Sequence, residues 1–383
     1  MVNGKTTQDG GPLLTAVMPV YNGERYLRRT LEHIVQMPEQ DMELLLIDDG
    51  SSDRSAVICR EYAAADARIH YVRQDNQGIA VSRNSGLDLA RGEYVCFWDQ
   101  DDVVLLQGYC KLLTKIRTTR ACMGICSTKR MIGDQMSPFE KITEGVYSGE
   151  EVRRNLLYPL LFRGYAYPFV QGENYLYGSV WKCIFRTDFI RDRQIRFRRF
   201  VSYEDDWLFV THALSCADKV VTSRQAGYCW RVNEESESHR GGYIPDLCGR
   251  LAELDAYVNG YLDTGIRDAE VLAAYRKVRT CEHYVELCSN AAQVRAGQDT
   301  LQAVRRESRE QMENYMRQTD YKSCLSCRKY LRRNAYRRRV ILFTLRYGGA
   351  PAARIAGGVY DWLEIRLGRI RWIVRMERRY KMK

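Results

Sequence analysis

The segment VCFWDQDDVV, Val95–Val104, places three carboxylates, Asp99, Asp101 and Asp102, directly after a run of apolar and aromatic residues. Carboxylates this close repel one another, so a positive charge must lie beside them. Oxygen ligands without cysteine or paired histidines favour Mg²⁺ or Mn²⁺, which are commonly shared with substrate phosphates. The spacing therefore predicts half of a metal site whose other half is a diphosphate. A bare Asp-x-Asp is, however, more often a solvated acidic turn.

Two motifs nearer the N-terminus contain residues suited to holding a nucleoside. In VMPVYNG, Tyr21 follows a predicted strand, where an aromatic ring can stack on a flat base or belong to a simple turn. In LLLIDDGSSDRS, the residues Ser51–Asp53 are suited to capping a helix. Capping does not account for Asp48 and Asp49. Asp49 is a candidate to accept a hydrogen bond from a pyrimidine imide N–H or from a ribose hydroxyl.

Arg83 lies between these motifs and the acidic cluster, on the first turns of a predicted helix. Its guanidinium is a candidate donor to phosphate oxygens or to the acidic cluster itself. A surface salt bridge is the alternative. The sequence leaves these interpretations open.

Predicted strands alternate with predicted helices and position these residues. The apolar runs that predict strands are Leu13–Val20, Leu44–Ile47 and Val95–Trp98, and the helical patterns are Tyr26–Gln36, Ser55–Asp66 and Ala80–Ala90. This alternation predicts βαβ units and a parallel sheet, with ligands beyond the carboxyl ends of the strands. Tyr21, Asp49 and Asp99 are therefore expected in one crevice. GxGxxG after the first strand and GxxxxGK[ST] are both absent, which disfavours nicotinamide and P-loop sites.

The chain has 383 residues, enough for one large domain with an appendage or for two domains. Its net charge of +11 is uneven, because residues 320–383 hold 18 Lys and Arg against 4 Asp and Glu. Such a tail suggests an anionic partner. The sequence shows no signal-peptide pattern and no apolar run of the roughly 18 residues a membrane span needs, and its cysteines are scattered. It predicts a cytoplasmic protein, soluble or peripheral on the membrane.

The order of VxxPVYNG, IDDGSSD and NxGxxxxRNxGLxxAxGEYVxFxDxDD resembles the inverting family 2 glycosyltransferases of the GT-A fold. The similarity is close over residues 13–104 and looser to about residue 240. It implies an α/β, Rossmann-like fold with a mostly parallel sheet flanked by helices and a C-terminal helical extension. The expected domains are a GT-A nucleotide-sugar-binding and catalytic domain at 11–240, a helical region at 241–319 and a basic, partly amphipathic region at 320–383.

The resemblance also implies roles for individual residues. The residues expected to bind the nucleotide are Pro19, Tyr21, Asn22, Asp48, Asp49, Arg83 and Asp99. Tyr21 and Asp49 are expected to hold a uracil-type base. Asp99 and Asp101 are expected to contact the ribose and a divalent ion, Mn²⁺ or Mg²⁺, with Asp101 as the direct ligand. His239 is a candidate to complete the metal shell, although a lone histidine is more often structural or exposed.

The catalytic base is expected in the second acidic cluster, YEDDWLF, by its place in the family's motif. Counting back from Phe209 selects Asp206, and Asp205 stands where the family usually has glutamate, so Asp205 remains the alternative base. An inverting transfer needs one carboxylate to take the proton of the acceptor hydroxyl. Trp181 is a candidate platform for the acceptor sugar, and core packing accounts for it equally well.

The resemblance implies a reaction that moves a sugar from a nucleotide diphosphate donor, expected to be UDP-linked, to a hydroxyl of a glycan in cell-surface polysaccharide synthesis. Residues 359–383 have the profile of an arginine-rich amphipathic helix that lies on an anionic membrane, where lipid-linked acceptors are presented, or that packs on the body. No nucleic-acid partner is expected for the enzyme. The alternative is a non-catalytic protein of this fold that binds membrane or nucleic acid through its basic tail.

Overall fold

The structure, a computed structural model, describes residues 11–37, 41–140, 142–163, 165–170, 176–201, 204–232, 243–292 and shorter stretches between 306 and 343. The chain divides into two compact units. The first contains the residues up to Leu161 together with Phe169–Ser236, and the second contains Phe162–Pro168 and the residues from Glu237 onward. The domain limits drawn from the sequence stay predictions, since residues 233–242 lie outside the described part.

The first unit alternates strands and helices. Its strands are β1 (Leu14–Val20), β2 (Met42–Asp49), β3 (Ile69–Gln74), β4 (Tyr94–Phe97), β5 (Val103–Val104), β6 (Met123–Ile132), β7 (Gln135–Pro138), β8 (Gly145–Ser148), β9 (Cys183–Arg186) and β10 (Lys219–Arg231). Its helices are α1 (Glu24–Ile34), α2 (Ser55–Ala65), α3 (Ile79–Leu89), α4 (Leu106–Thr119), α5 (Glu150–Val152), α6 (Tyr158–Leu161), α7 (Thr187–Asp192) and α8 (Asp205–Cys216). A π-helical turn, Arg153–Leu157, joins α5 to α6, and a 3₁₀ turn, Val180–Lys182, precedes β9.

The ten strands form one mixed sheet in the order β3-β2-β1-β4-β9-β6-β10-β5, with β7 paired to β6 and β8 paired to β10. Strands β1 to β4 are parallel, so their carboxyl ends, which precede the predicted nucleotide motifs, share one edge. Beyond β4, strand β9 is antiparallel to both of its neighbours. The predicted α/β class is confirmed, and the antiparallel pairs make the sheet less uniformly parallel than expected.

Helix α3 lies close against the sheet because Gly86 has no side chain. A Cβ atom at this position would come 2.2 Å from Val17 Cγ1 in β1. Arg83, one turn earlier on the same helix, is buried, with only 2% of its surface exposed. An arginine this deeply buried needs carboxylate partners.

The amino-terminal edge of the parallel strands is held by charged groups. Arg191 donates from Nη2 to two carbonyls at the end of α3, at 3.3 and 2.6 Å. Glu43, a buried residue of β2, accepts from Thr15 Oγ1 at 2.6 Å and from the backbone N–H of Arg91 at 2.8 Å. The Arg91 guanidinium adds two further bonds to the same carboxylate. Glu43 therefore ties β2 to β1 and to the connection between α3 and β4.

The second unit is mainly helical where the structure describes it. It contains α9 (Leu247–Gly265), α10 (Ala269–Ala292) and a 3₁₀ helix (Leu325–Tyr330). The predicted C-terminal helical extension is thus confirmed as far as residue 292. The tail 359–383 lies outside the described residues, so its binding to a membrane stays a prediction. Among the helices that are described, none combines the length and the apolar composition needed to cross a bilayer.

Removal of the Glu43 carboxylate is expected to destabilise the first unit. Glu43→Ala leaves Thr15 Oγ1 and the Arg91 backbone N–H without their acceptor, which should lower the free energy of unfolding by about 2–4 kcal/mol. Chemical denaturation measures this change. The control is Glu61→Ala, which removes an exposed carboxylate bonded to Arg28 and should cost about 0.5 kcal/mol or less. Equal losses in the two variants would contradict the role given to Glu43.

Candidate active site

A single arginine joins the two acidic clusters that the sequence singles out. Arg83 in α3 donates from Nη2 to Asp99 Oδ1, after β4, at 2.9 Å. Its Nη1 donates to two carboxylates at the start of α8, Asp205 Oδ2 at 2.9 Å and Asp206 Oδ1 at 2.5 Å. The two clusters are far apart in the sequence, and Arg83 brings them together at the carboxyl ends of the parallel strands.

The Arg83 guanidinium supplies a protein cation beside the acidic cluster, which is one of the two roles that the sequence left open for it. Burial by itself lowers the pKa of Arg83, but the attraction of the three carboxylates outweighs burial and the pKa lies above its ordinary value. The face of Phe197 lies 5.3 Å from Arg83 Cζ, close enough for a cation–π contact. The Nε atom has no hydrogen-bond partner among the described residues. The guanidinium is therefore held through its two Nη groups and one aromatic ring.

The three carboxylates of the Asp99–Asp102 motif lie in different environments. Asp102 is almost fully buried and accepts a bond from the backbone N–H of Arg231 in β10 at 2.7 Å. Burial, together with repulsion by Asp101 and Asp99, raises the pKa of Asp102 well above its ordinary value. Burial also raises the pKa of Asp99 to about 6, against the attraction of Arg83. The protein thus offsets the repulsion by pairing Asp99 with Arg83 and by favouring protonation of Asp102.

The two acids at the start of α8 differ in exposure. The side chain of Asp206 is 22% exposed and that of Asp205 is 7% exposed. Oδ2 of Asp206 accepts a bond from the backbone N–H of Val180, in the turn before β9, at 3.0 Å. Glu204 instead accepts bonds from two backbone N–H groups of the loop that precedes α8. Asp206 is therefore the more accessible of the two carboxylates that Arg83 holds here.

The turn after β1 is fastened to the neighbouring loop and to the acidic motif. Asn22 adopts a left-handed conformation with a φ of 44°. It donates its N–H to Ser51 Oγ at 3.1 Å and accepts from the N–H of Ser52 at 2.9 Å. Tyr21 is 47% exposed, and its backbone N–H and C=O both bond to the side-chain amide of Gln100. The backbone of Tyr21 is thus held while much of the residue faces solvent.

Pro19, Asp48 and Asp49 are buried, and the two carboxylates bond to the protein itself. Asp48 accepts from the Ser51 N–H at 2.9 Å and from the Tyr71 hydroxyl at 2.7 Å. Asp49 accepts from two backbone N–H groups before α3, at 3.0 and 2.7 Å, and from an amide side chain of β3 at 2.8 Å. A carboxylate offers about four acceptor positions. The predicted contacts of these residues to a nucleotide stay predictions.

The oxygen donors after β4 suit a hard divalent cation. Asp99 and Asp101 present carboxylates at the end of a strand, and Mg²⁺ is usually held by one or two carboxylates plus substrate phosphates. No group of three or more His, Cys, Asp or Glu side chains arranged to hold a metal occurs within the described residues. The donor set therefore fits an ion shared with a substrate and does not form a complete protein cage. His239 lies outside the described residues.

Trp181 packs in the core of the first unit. It is 7% exposed and stacks on Tyr228, with ring centres 4.6 Å apart and planes inclined by 19°. The Tyr228 hydroxyl in turn accepts a bond from the Asp99 N–H at 3.0 Å. The structure thus favours core packing as the role of Trp181. Through its stack on Tyr228, Trp181 also supports the acidic motif.

Sequence reasoning missed several residues that contact the candidate site, among them Gln100, Val180 and Tyr228. Gln100 holds Tyr21, Val180 donates to Asp206 and Tyr228 accepts from Asp99. Gln100 lies between Asp99 and Asp101, two candidate metal ligands, and this position could have indicated that it belongs to the site. The contribution of Val180 comes from its backbone, so its side-chain type gave no indication.

Comparisons with known proteins bear on the family and the fold of this chain. Residues 15–182 match the sequence profile of the family described as Glycosyl transferase family 2. The resemblance to family 2 glycosyltransferases that the motifs indicated is thus confirmed over residues 15–182. An uncharacterized glycosyltransferase of Bacillus subtilis (strain 168), EpsJ, is 26% identical over 227 residues, which are 59% of this chain and 62% of EpsJ. The minor teichoic acid biosynthesis protein GgaB of the same strain is 39% identical over 93 residues, 24% of this chain and 10% of GgaB.

A solved structure shares the fold of this chain. Crystals of S. aureus TarS 1-349 in complex with UDP-GlcNAc contain a chain that superposes with a TM-score of 0.64 at 18% identity, covering 91% of this chain and 92% of that one. At that identity the likeness shows the GT-A fold alone. The chain spans less than two thirds of the length of the two B. subtilis relatives, 62% and 10%.

The buried Asp205 makes stability depend on pH. Burial, with repulsion by Asp206, raises the pKa of Asp205 to about 6, so ionised Asp205 costs folding free energy above that pH. The cost disappears below about pH 4, where Asp205 is protonated in both states. Asp205→Asn removes this cost. Relative to wild type, its free energy of unfolding should rise by about 2 kcal/mol between pH 4 and pH 8. Urea denaturation at several pH values measures the difference, and a constant difference would contradict the shift.

Proposed function

We propose that this family 2 protein transfers a sugar from a UDP-sugar to a hydroxyl of a glycan acceptor, with inversion at the anomeric carbon. The observation that carries the proposal is the Arg83 cluster. It holds Asp99, from the motif proposed to meet the nucleotide, and Asp206, the proposed base, on one guanidinium. A nucleotide sugar and an acceptor hydroxyl would need both groups within one site.

In the proposed reaction Asp206 takes the proton of the acceptor hydroxyl. The freed oxygen lone pair forms the new bond to the anomeric carbon, and the bond from that carbon to the diphosphate oxygen breaks with its electrons leaving on the diphosphate. The greater exposure of Asp206 supports its choice over Asp205. The bonds from Arg83 and Val180 use two of the acceptor positions of the Asp206 carboxylate and fix its direction.

A divalent ion, Mn²⁺ or Mg²⁺, is part of the proposal. Asp101 is proposed as its direct ligand, with Asp99 and His239 as further candidates. When bound, such an ion stabilises the negative charge that develops on the departing diphosphate. The choice of Asp101 is supported by the pairing of its neighbour Asp99 with Arg83, which takes up one oxygen of the Asp99 carboxylate.

Cell-surface polysaccharide synthesis is proposed as the setting of the reaction. The name of GgaB places that relative in minor teichoic acid biosynthesis, and the structural neighbour was crystallised with UDP-GlcNAc. These names support a UDP-sugar donor and a glycan acceptor for this chain. A panel of UDP- and GDP-linked sugars, scored by release of the nucleotide from purified protein, tests the donor class. Absence of release from every donor would favour the non-catalytic alternative.

Loss of the proposed base should abolish transfer while leaving donor binding. Asp206→Asn is expected to lower kcat for sugar transfer, measured as acceptor-dependent UDP release, by a factor of about 10³ or more. The reason is that no other carboxylate of α8 is as accessible. Binding of UDP should change by less than about threefold. The matched comparison is Asp205→Asn. Normal transfer by Asp206→Asn with an inactive Asp205→Asn would reverse the assignment.

Removal of the divalent ion should stop the reaction reversibly. Treatment with a chelator is expected to eliminate UDP release, and added Mn²⁺ or Mg²⁺ should restore it, because the diphosphate leaves with its charge offset by the ion. Asp101→Asn should raise the Mn²⁺ concentration needed for half-maximal rate by about tenfold or more. Full activity of the chelated protein would remove the ion from the proposal.

A further inference from the structure

The side-chain amide of Gln100 makes a paired contact with the backbone of Tyr21. Its Oε1 accepts from the Tyr21 N–H at 3.1 Å, and its Nε2 donates to the Tyr21 C=O at 2.9 Å. The two bonds together use both polar groups of the amide and both backbone groups of one residue. Gln100 lies between Asp99 and Asp101 in the sequence, so the contact links the acidic motif directly to the turn after β1.

The rest of that turn is held from another side. The N–H groups of Asn22 and Gly23 donate to Ser51 Oγ and Ser55 Oγ at 3.1 and 2.8 Å, both in the segment after β2. Tyr21 receives no bond from that segment among the described contacts, and its N–H and C=O both go to Gln100. The backbone of Tyr21 is therefore held by the acidic motif, whereas its neighbours Asn22 and Gly23 are held by the segment after β2.

Gly23 leaves the space that the Gln100 amide occupies. A Cβ atom on Gly23 would lie 2.1 Å from Gln100 Oε1 and 2.4 Å from its Cδ. The backbone of Gly23 has a φ of −104°, outside the left-handed region that favours glycine. Alanine at this position would thus displace the Gln100 side chain without imposing an unfavourable backbone.

We propose that Gln100 is a positioning residue of the donor site, which sets the place of the Tyr21 ring relative to Asp99 and so contributes to recognition of the nucleobase. The inference rests on the proposed function, because it takes Tyr21 as the contact to the base. Gln100 acts through Tyr21 and need not touch the donor. Its loss should weaken contacts to the base and leave contacts to the diphosphate unchanged.

The test measures binding of two probes by calorimetry with Mn²⁺ present, UDP and inorganic diphosphate. Gln100→Met keeps the length of the side chain and removes both bonds to Tyr21. It should weaken UDP binding about tenfold and change diphosphate binding by less than about twofold. Gly23→Ala should give the same pattern by displacing the amide. In steady-state kinetics the donor KM should rise about tenfold with kcat nearly unchanged.

A double-mutant cycle separates this role from general damage. Once Gln100→Ala has removed the amide, Gly23→Ala should have no further effect on UDP binding, and Gln100→Met should have none in a Tyr21→Ala background. The matched control is Gln107→Met, at an exposed glutamine of α4, which should bind both probes like wild type. Thermal melting confirms that each variant is folded.

The outcomes distinguish the inference from the function it rests on. Wild-type UDP binding that Gln100→Met and Gly23→Ala leave unchanged would overturn the inference alone. Equal weakening of UDP and diphosphate would also overturn it, because Gln100 would then act on the acidic motif in general. A wild-type protein that binds neither UDP nor GDP would overturn the proposed function, and the inference with it.

Discussion

The candidate site depends on the ion cluster of Arg83 with Asp99, Asp205 and Asp206. Removing four charged groups from water is costly, and loss of one partner leaves an uncompensated charge in the protein. The cluster draws on α3, on the end of β4 and on the start of α8. It therefore forms only when these three elements have assembled. Breaking such a buried cluster by removing one partner costs more than the intact cluster contributes to stability.

The planar shape of the guanidinium matters as much as its charge. Nη1 and Nη2 belong to one planar group, so the directions from which they hold Asp206 and Asp99 are fixed relative to each other. A lysine ammonium would supply the charge without that geometry. The same rigid group requires α3 to lie close to the sheet, which Gly86 permits by its contact with Val17. The direction of the Asp206 carboxylate therefore depends, through Arg83, on the close packing of α3 that Gly86 allows.

Sequence periodicity predicted the three helices and the three buried strands of the chain before residue 100, whereas the later elements of the first unit, such as α4 and β6, were not predicted. Helix α2 begins at Ser55 as expected, and α1 and α3 begin within two residues of their predicted starts. Strand β3 was missed. It pairs only with β2 at one end of the sheet, and of its six residues, Ile69–Gln74, only the first is buried. Such a strand lacks the continuous apolar run by which β1 and β2 are recognised.

The sequence identified the carboxylates around the site. It did not indicate which of them accept hydrogen bonds from other parts of the protein. Asp48 and Asp49 follow a strand in the order expected of ligand-binding residues, yet both accept bonds from neighbouring loops. Their role in holding the loops around Tyr21 depends on contacts between distant segments, which no local pattern specifies. The pairing of Arg83 could not be predicted from a local pattern either, because its partners in α8 lie more than 120 residues later in the chain. A motif indicates where charge collects, whereas only the fold decides how much of that charge is left for a substrate.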